Sequence, residues 1–302
     1  VPAIISFASG KGGVGKSTTV SNLGLLLARG GSTVVVVDLD VGGADLHVLF
    51  GELTPPLTLS DFIAKKVDSL EAVAQPVSWC PRLKLIAGTG ETLRNTNPAS
   101  STKKKLERHI RKLECDLVLI DIGAGTNYHA LDFFLWGDVR VVISTPDPTA
   151  VLDLYKFVKL AATRRVLAEL GSRDPAGEAL LGEDIRSIEQ LMAAARAEGP
   201  ETEQRAKAAL ASFSPLLLLN QAGGDRAALA RIGNVIRKFL GSDAEVLGQV
   251  PVDPAVVTSV RKFLPVVEAA PDAPAARAYV QVERALRERL ARVMTASQKT
   301  ER

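Results

Sequence analysis

Gly10-Lys11-Gly12-Gly13-Val14-Gly15-Lys16-Ser17-Thr18 decides the fold of this 302-residue chain. It follows an apolar run, residues 3–8, and opens a helical pattern carried by Val20, Leu23, Leu26 and Leu27. Strand, glycine-rich loop and helix in that order make a phosphate-binding loop. The glycines let successive N–H groups turn toward one point, and the positive end of the new helix faces it, so the point suits a polyphosphate. In this reading Lys16 reaches the β- and γ-phosphates and Ser17 holds Mg²⁺. Gly10, Lys11, Gly12, Gly13, Val14, Gly15 and Thr18 complete the nucleotide-binding loop.

Outward from the loop, short apolar runs alternate with helical patterns: residues 3–8, 33–37, 83–87, 117–120, 139–144, 216–219 and 246–250. Such alternation predicts an α/β fold, a mainly parallel sheet with helices on both faces and ligands beyond the carboxyl ends of the strands. One domain over 1–302 is expected. Residues 172–212 break the rhythm between the fifth and sixth runs with Gly/Pro punctuation and two charged helical patterns, 183–198 and 201–213. That segment is too short and polar to bury a core alone and is read as a helical insertion offering a partner surface. An amphipathic helix over 273–294 ends the pattern.

Hydrophobic residues make up 46% of the chain, ample for a buried core, and 37 basic against 34 acidic residues leave a net charge of +3. So weak a global field makes no case for nucleic acid or acidic membranes, and only local patches can. Cys80 and Cys115 are isolated, without metal-binding or redox spacing, and suggest free thiols in a reducing cytoplasm. No run approaches the roughly 18 residues of a spanning helix. The chain begins at Val1 without a methionine, so a removed upstream segment is an expectation.

Asp121 ends the apolar run 117–120, where a strand-tip carboxylate holds Mg²⁺ directly or through water. A second lysine, Lys11, lies inside the loop. The pattern Lys-Gly-Gly-x-Gly-Lys-Ser resembles the deviant Walker A group, the MinD/ParA ATPases, which are SIMIBI-type P-loop NTPases. The resemblance runs from Ala3 to about Arg292 and implies that Lys11 crosses a face-to-face ATP dimer to contact the partner's nucleotide. It also implies that Lys11, Lys16 and Asp40 are catalytic, Asp40 orienting the attacking water. Asp38 then supports the loop and the Mg²⁺ shell beside Ser17 and Asp121, and Asp121, Gly123 and Gly125 form the second switch. Asp45 stands where relatives commonly have asparagine and adds negative charge near the γ-phosphate, which is expected to weaken ATP binding or hydrolysis.

A strand that ends in Asn220-Gln221, in a chain without an Asn-Lys-x-Asp guanine motif, favours ATP over GTP. By the resemblance Asn220 bonds adenine and Pro251, Val252 and Asp253 line the base. Residues 38–50, 121–126 and Thr145-Pro146-Asp147-Pro148-Thr149 are similar to the MinD/FlhG branch. Nitrogenase iron protein and iron–sulfur carriers need cysteines in other places.

Val282, Leu286, Leu290, Val293 and Met294 form one helical stripe with arginines beside it. A MinD-like membrane-targeting helix has this look, but the stripe lacks the Trp or Phe of an interfacial anchor, and packing on the sheet is the preferred reading. The same preference for a solvated face applies to Lys103, Lys104, Lys105, Arg108, Arg111 and Lys112, and to Lys156, Lys159, Arg164 and Arg165, where non-specific DNA is the competing reading. The function expected is a dimerising switch ATPase, slow without an unidentified activating partner, that positions a division, flagellar, chromosomal or other polar machine in the cytoplasm or at the inner face of the membrane. A nucleotide-gated adaptor with negligible hydrolysis and an ATP-dependent small-molecule ligase are the alternatives.

Overall fold

Aliphatic and β-branched runs form strands β1 (Ala3–Ala8), β2 (Val34–Leu39), β3 (Gln75–Val77), β4 (Cys80–Ile86), β5 (Leu117–Ile122), β6 (Val139–Ser144), β7 (Leu216–Ala222) and β8 (Glu245–Pro251). The structure is a computed structural model that describes residues 1–40, 43–88, 100–170, 188–223 and 245–300, with 230, 232–234, 236 and 237 between the last two. Among the described residues the strands make one sheet in the order β3-β4-β2-β5-β1-β6-β7-β8. Every pairing is parallel except β3 with β4.

Both faces are covered, so alternate side chains of one strand enter two different cores. Val34 and Val36 of β2 pack with Leu23 and Leu27 on one face, and Val35 and Val37 pack with Phe62 and Ile110 on the other. The first face carries α1 (Lys16–Arg29), and the second carries α2 (Leu59–Ile63), α3 (Ser100–Ile110), α4 (Tyr128–Leu135) and α5 (Pro148–Leu170). After α5 come α6 (Ile188–Ala197) and α7 (Pro200–Ala211), and after β8 come α8 (Pro254–Arg261), α9 (Val266–Ala269) and α10 (Pro274–Thr300). A short 3₁₀ turn, Leu46–Phe50, follows β2.

The parallel strands lie where the apolar runs predict, with β2, β4, β5, β7 and β8 longer than the runs. β3 was not foreseen, since three residues containing Pro76 carry no strand period. A proline is tolerated there because β3 is the sheet's edge. Helices α6 and α7 bury Leu191, Ala195, Ala206 and Ala209 against Val166 and Leu170 of α5, a small core that they share with the main body. Residues 172–187 of the expected insertion, with the start of its first helical pattern, lie outside the described residues.

The tail stripe is part of the core. Val282, Leu286 and Leu290 are buried against the sheet while Met294 is exposed. Polar contacts tie the same layer to α1: Tyr279 Oη lies 3.4 Å from Thr19 Oγ1, Val267 N–H donates to Asn22 Oδ1 at 3.0 Å, and Arg287 donates to the Leu27 carbonyl at 2.9 Å. Lipid would therefore meet this stripe only if α10 left the sheet. The basic clusters are interrupted by carboxylates, with Lys156 paired to Asp153 at 3.2 Å and Arg165 to Glu169 at 3.4 Å.

Candidate nucleotide site

The loop leaves the end of β1 and is tied down before any ligand arrives. Ser9 Oγ donates to the Lys11 carbonyl at 2.9 Å, and the N–H and hydroxyl of Thr19 both reach the Gly15 carbonyl at 2.9 Å. Gly13 and Gly15 have φ of +80° and +82°, a left-handed backbone that side chains disfavour. From β7, Asn220 Nδ2 donates to the Val14 carbonyl at 2.8 Å, and Gln221 Nε2 approaches the Gly13 carbonyl at 3.4 Å. The Gly125 N–H donates to the Ser9 carbonyl at 3.1 Å, which links the segment after β5 to the loop.

Lys16 is buried and its ammonium pairs with Asp121 Oδ1, with Asp40 Oδ2 4.0 Å away. The register of β2 with β5 sets Asp38 beside Asp121, so two buried carboxylates share one spot at the strand tips. Asp38 Oδ1 accepts from the Asp40 N–H at 2.9 Å and Oδ2 from the Leu46 N–H at 3.1 Å, so one carboxylate holds the backbone at Asp40 and at the start of the 3₁₀ turn. Burial first, and then the Asp121 charge, push the Asp38 carboxyl up to about 8. Asp40 is 22% exposed and lies over Gly123, where a Cβ would stand 3.0 Å from its Oδ1. Asp45 is exposed at the start of the 3₁₀ turn.

These residues fit a magnesium nucleotide. Asp121 Oδ2 is buried and has no hydrogen-bond partner among the described residues, an oxygen in want of a cation. Ser17 follows Lys16 at the start of α1, within the same strand-tip corner. Lys11 is exposed at the rim and donates to Thr149 Oγ1 at 3.0 Å in the first turn of α5.

The residues expected at the base are engaged in other ways. Asn220 braces the loop, a part that sequence reasoning did not assign to it. Asp253 caps two helices, its Oδ1 accepting from the Ala255 N–H and its Oδ2 from the Ala275 N–H, each at 2.9 Å. The Asp253-Pro254 step signals the first cap in sequence, whereas the second joins residues 22 apart. Val252 is exposed beside Pro251, the last residue of β8. The cysteines lie at the other end of the strands: Cys80 is buried at the start of β4, and Cys115, ahead of β5, has a thiol pushed up to about 12 by burial and then by Glu71 and Asp116.

Known proteins resemble this arrangement. A family model described as ParA, NUBPL iron-transfer P-loop NTPase, matches residues 1–168. An uncharacterised ATP-binding protein of Methanocaldococcus jannaschii is 27% identical over 80% of this chain and 89% of its own. The flagellum site-determining protein YlxH of Helicobacter pylori is 33% identical, and the match spans 52% of each chain. The solved structure of the septum site-determining protein MinD complexed with Mg-ADP from Pyrococcus horikoshii superposes with a TM-score of 0.64 at 21% identity, over 94% of this chain and 95% of that one. The family model covers more than half of the 302 residues, from the loop through Asp121 and into α5, and the chain belongs to the ParA family of P-loop NTPases.

Proposed function

We propose that the protein is an ATP-dependent switch. ATP and Mg²⁺ bind at the loop, two copies pair around the nucleotides, slow hydrolysis separates them, and the cycle positions a cellular machine. The observation that carries this reading is the unequal placement of the two loop lysines. Lys16 is buried beside Asp121 and Asp40, whereas Lys11 is exposed at the rim. A buried ammonium serves the chain's own phosphates, and an exposed one beside it supports a role toward those of a second copy.

On binding, Lys16 exchanges Asp121 for the β- and γ-phosphates, and the N–H groups of the loop hold phosphate oxygens. Asp121, whose Oδ2 has no hydrogen-bond partner among the described residues, and Ser17 would hold the cation. Mg²⁺ supplies neutralisation of the phosphate charge that builds up as the terminal bond breaks. Asp40 orients the attacking water and accepts its proton late, while Asp38 holds the backbone at Asp40 and at Leu46. A carboxylate is a weak base for water, so turnover stays slow until an activating partner completes the site. The name of YlxH, a flagellum site-determining protein, supports a positioning output. Iron transfer has less support, because Cys80 is buried and burial pushes the Cys115 thiol up to about 12.

Solution mass with Mg²⁺ and ATP, ADP or no nucleotide tests the proposal. A dimer with ATP alone, stabilised by Asp40→Ala and lost in Lys11→Ala, is the expected result. A mass indifferent to nucleotide sinks it. Phosphate release in the same samples separates a timer from an adaptor that binds without hydrolysing.

A further inference from the structure

Away from the loop, α3, α4 and α5 enclose a cavity of about 300 Å³. Its polar edge is built around Asp132 of α4, which holds Lys103 of α3 at 2.5 Å and Arg164 of α5 at 2.8 Å. Arg164 also lies 5.5 Å from the ring of Tyr128, itself 68% exposed on the first turn of α4. The two cations are thus fixed before any ligand comes, and little side-chain freedom remains to be lost on binding. Lys104, on the same edge, is exposed and makes no ion pair with any described residue. Leu135 and Trp136 form an apolar wall.

This combination favours one kind of occupant. In the lining Glu107 is paired with Arg111 at 3.6 Å and Asp132 with Lys103 and Arg164, which leaves Lys104 as the cation without an ion pair among the described residues, and a flat lipid or nucleic-acid surface gains nothing from a pocket the size of one or two side chains. A peptide that alternates carboxylates with aliphatic groups can satisfy both parts, because charge complementarity selects the partner and the apolar wall anchors it. We infer that this cavity docks an acidic segment of a partner protein, with carboxylates at Lys104 and Arg164 and an apolar side chain against Leu135 and Trp136. The site also has a route to the nucleotide. Asn127 caps α4 by accepting from the Ala130 N–H at 2.9 Å, two residues after Gly125, whose N–H holds the Ser9 carbonyl of the loop. Docking would therefore press on the helix that continues the second switch. The docking itself needs no nucleotide and does not rest on the ATP-switch reading.

The protein has two tryptophans, Trp79 and Trp136, so Trp79→Phe leaves a single reporter in the wall of the cavity. The probe is a short synthetic peptide of alternating glutamate and leucine, added without nucleotide; its glutamine counterpart, duplex DNA and anionic vesicles are the controls. The expected result is a saturable change in Trp136 emission with the acidic peptide alone, weakened by salt and roughly tenfold by Lys104→Glu at unchanged melting temperature. No saturable change, an equal response to the glutamine peptide, or indifference to Lys104→Glu overturns the inference. So does a Lys104-dependent response to DNA or vesicles at lower concentration than to the peptide. Because nucleotide is absent throughout, these outcomes leave the switch to its own test of mass.

Discussion

Replacing Asn220 by alanine separates two ways in which this side chain could serve a nucleotide. The amide donates to the buried Val14 carbonyl at 2.8 Å and holds the loop in a shape in which its N–H groups converge. Alanine leaves that carbonyl without its side-chain partner, which costs about 1–3 kcal/mol for a buried group. The loop must then be ordered by the ligand, so affinity for the triphosphate falls by roughly 5- to 150-fold. The loss is common to ATP, GTP and inorganic tripolyphosphate, since the brace acts on the phosphate cradle and not on the base. Calorimetric titration of wild type and Asn220→Ala with the three ligands reads it directly. A loss confined to ATP would mean that Asn220 reads adenine and that its bond to Val14 is idle, and the reasoning would be refuted.

Two further predictions address the tail and the strand tips. Leu286→Ala removes a fully buried side chain from the sheet-facing stripe of α10, at a cost of about 2–5 kcal/mol. With an unfolding entropy of about 2.1 cal/mol/K per residue, that lowers the melting temperature by roughly 3–8 °C; an unchanged temperature together with lost vesicle binding would make the stripe a lipid face. Burial and then the Asp121 charge push the Asp38 carboxyl from an ordinary 3.8 up to about 8, so the fold binds its proton more tightly than the unfolded chain does. Its contribution to stability is complete below the unfolded value and is lost as pH rises through about 8. Melting temperature should fall between pH 4 and 8, less steeply in Asp38→Asn, and parallel profiles for the two proteins would count against the buried pair.

Much of the fold was legible because its signals are local. A valine run such as Val34 to Val37 is a strand in any surrounding that covers both of its faces, and the glycine loop needs only its own backbone freedom and the helix that follows. β3 was illegible because it is made by pairing with β4 and has no period of its own. The candidate site divides in the same way. Lys16, Ser17 and Asp121 stand out by residue type and position after strands, but the dual cap of Asp253, the grip of Asn220 on Val14 and the capture of Lys11 by Thr149 join residues far apart in the chain.

That this protein is a phosphate-loop α/β fold follows from its residues alone, because a loop that presents its own N–H groups to an anion is written in consecutive positions. That the apolar stripe of α10 faces the sheet is visible in the packed chain alone, since a helical stripe is equally apolar against lipid or against a core. The same holds for Asp38 and Asp121 standing side by side, because the register between β2 and β5 is set by packing across the whole sheet. The electrostatics of the site follow from that register, since two carboxylates share one buried corner with Lys16 only when those strands are neighbours.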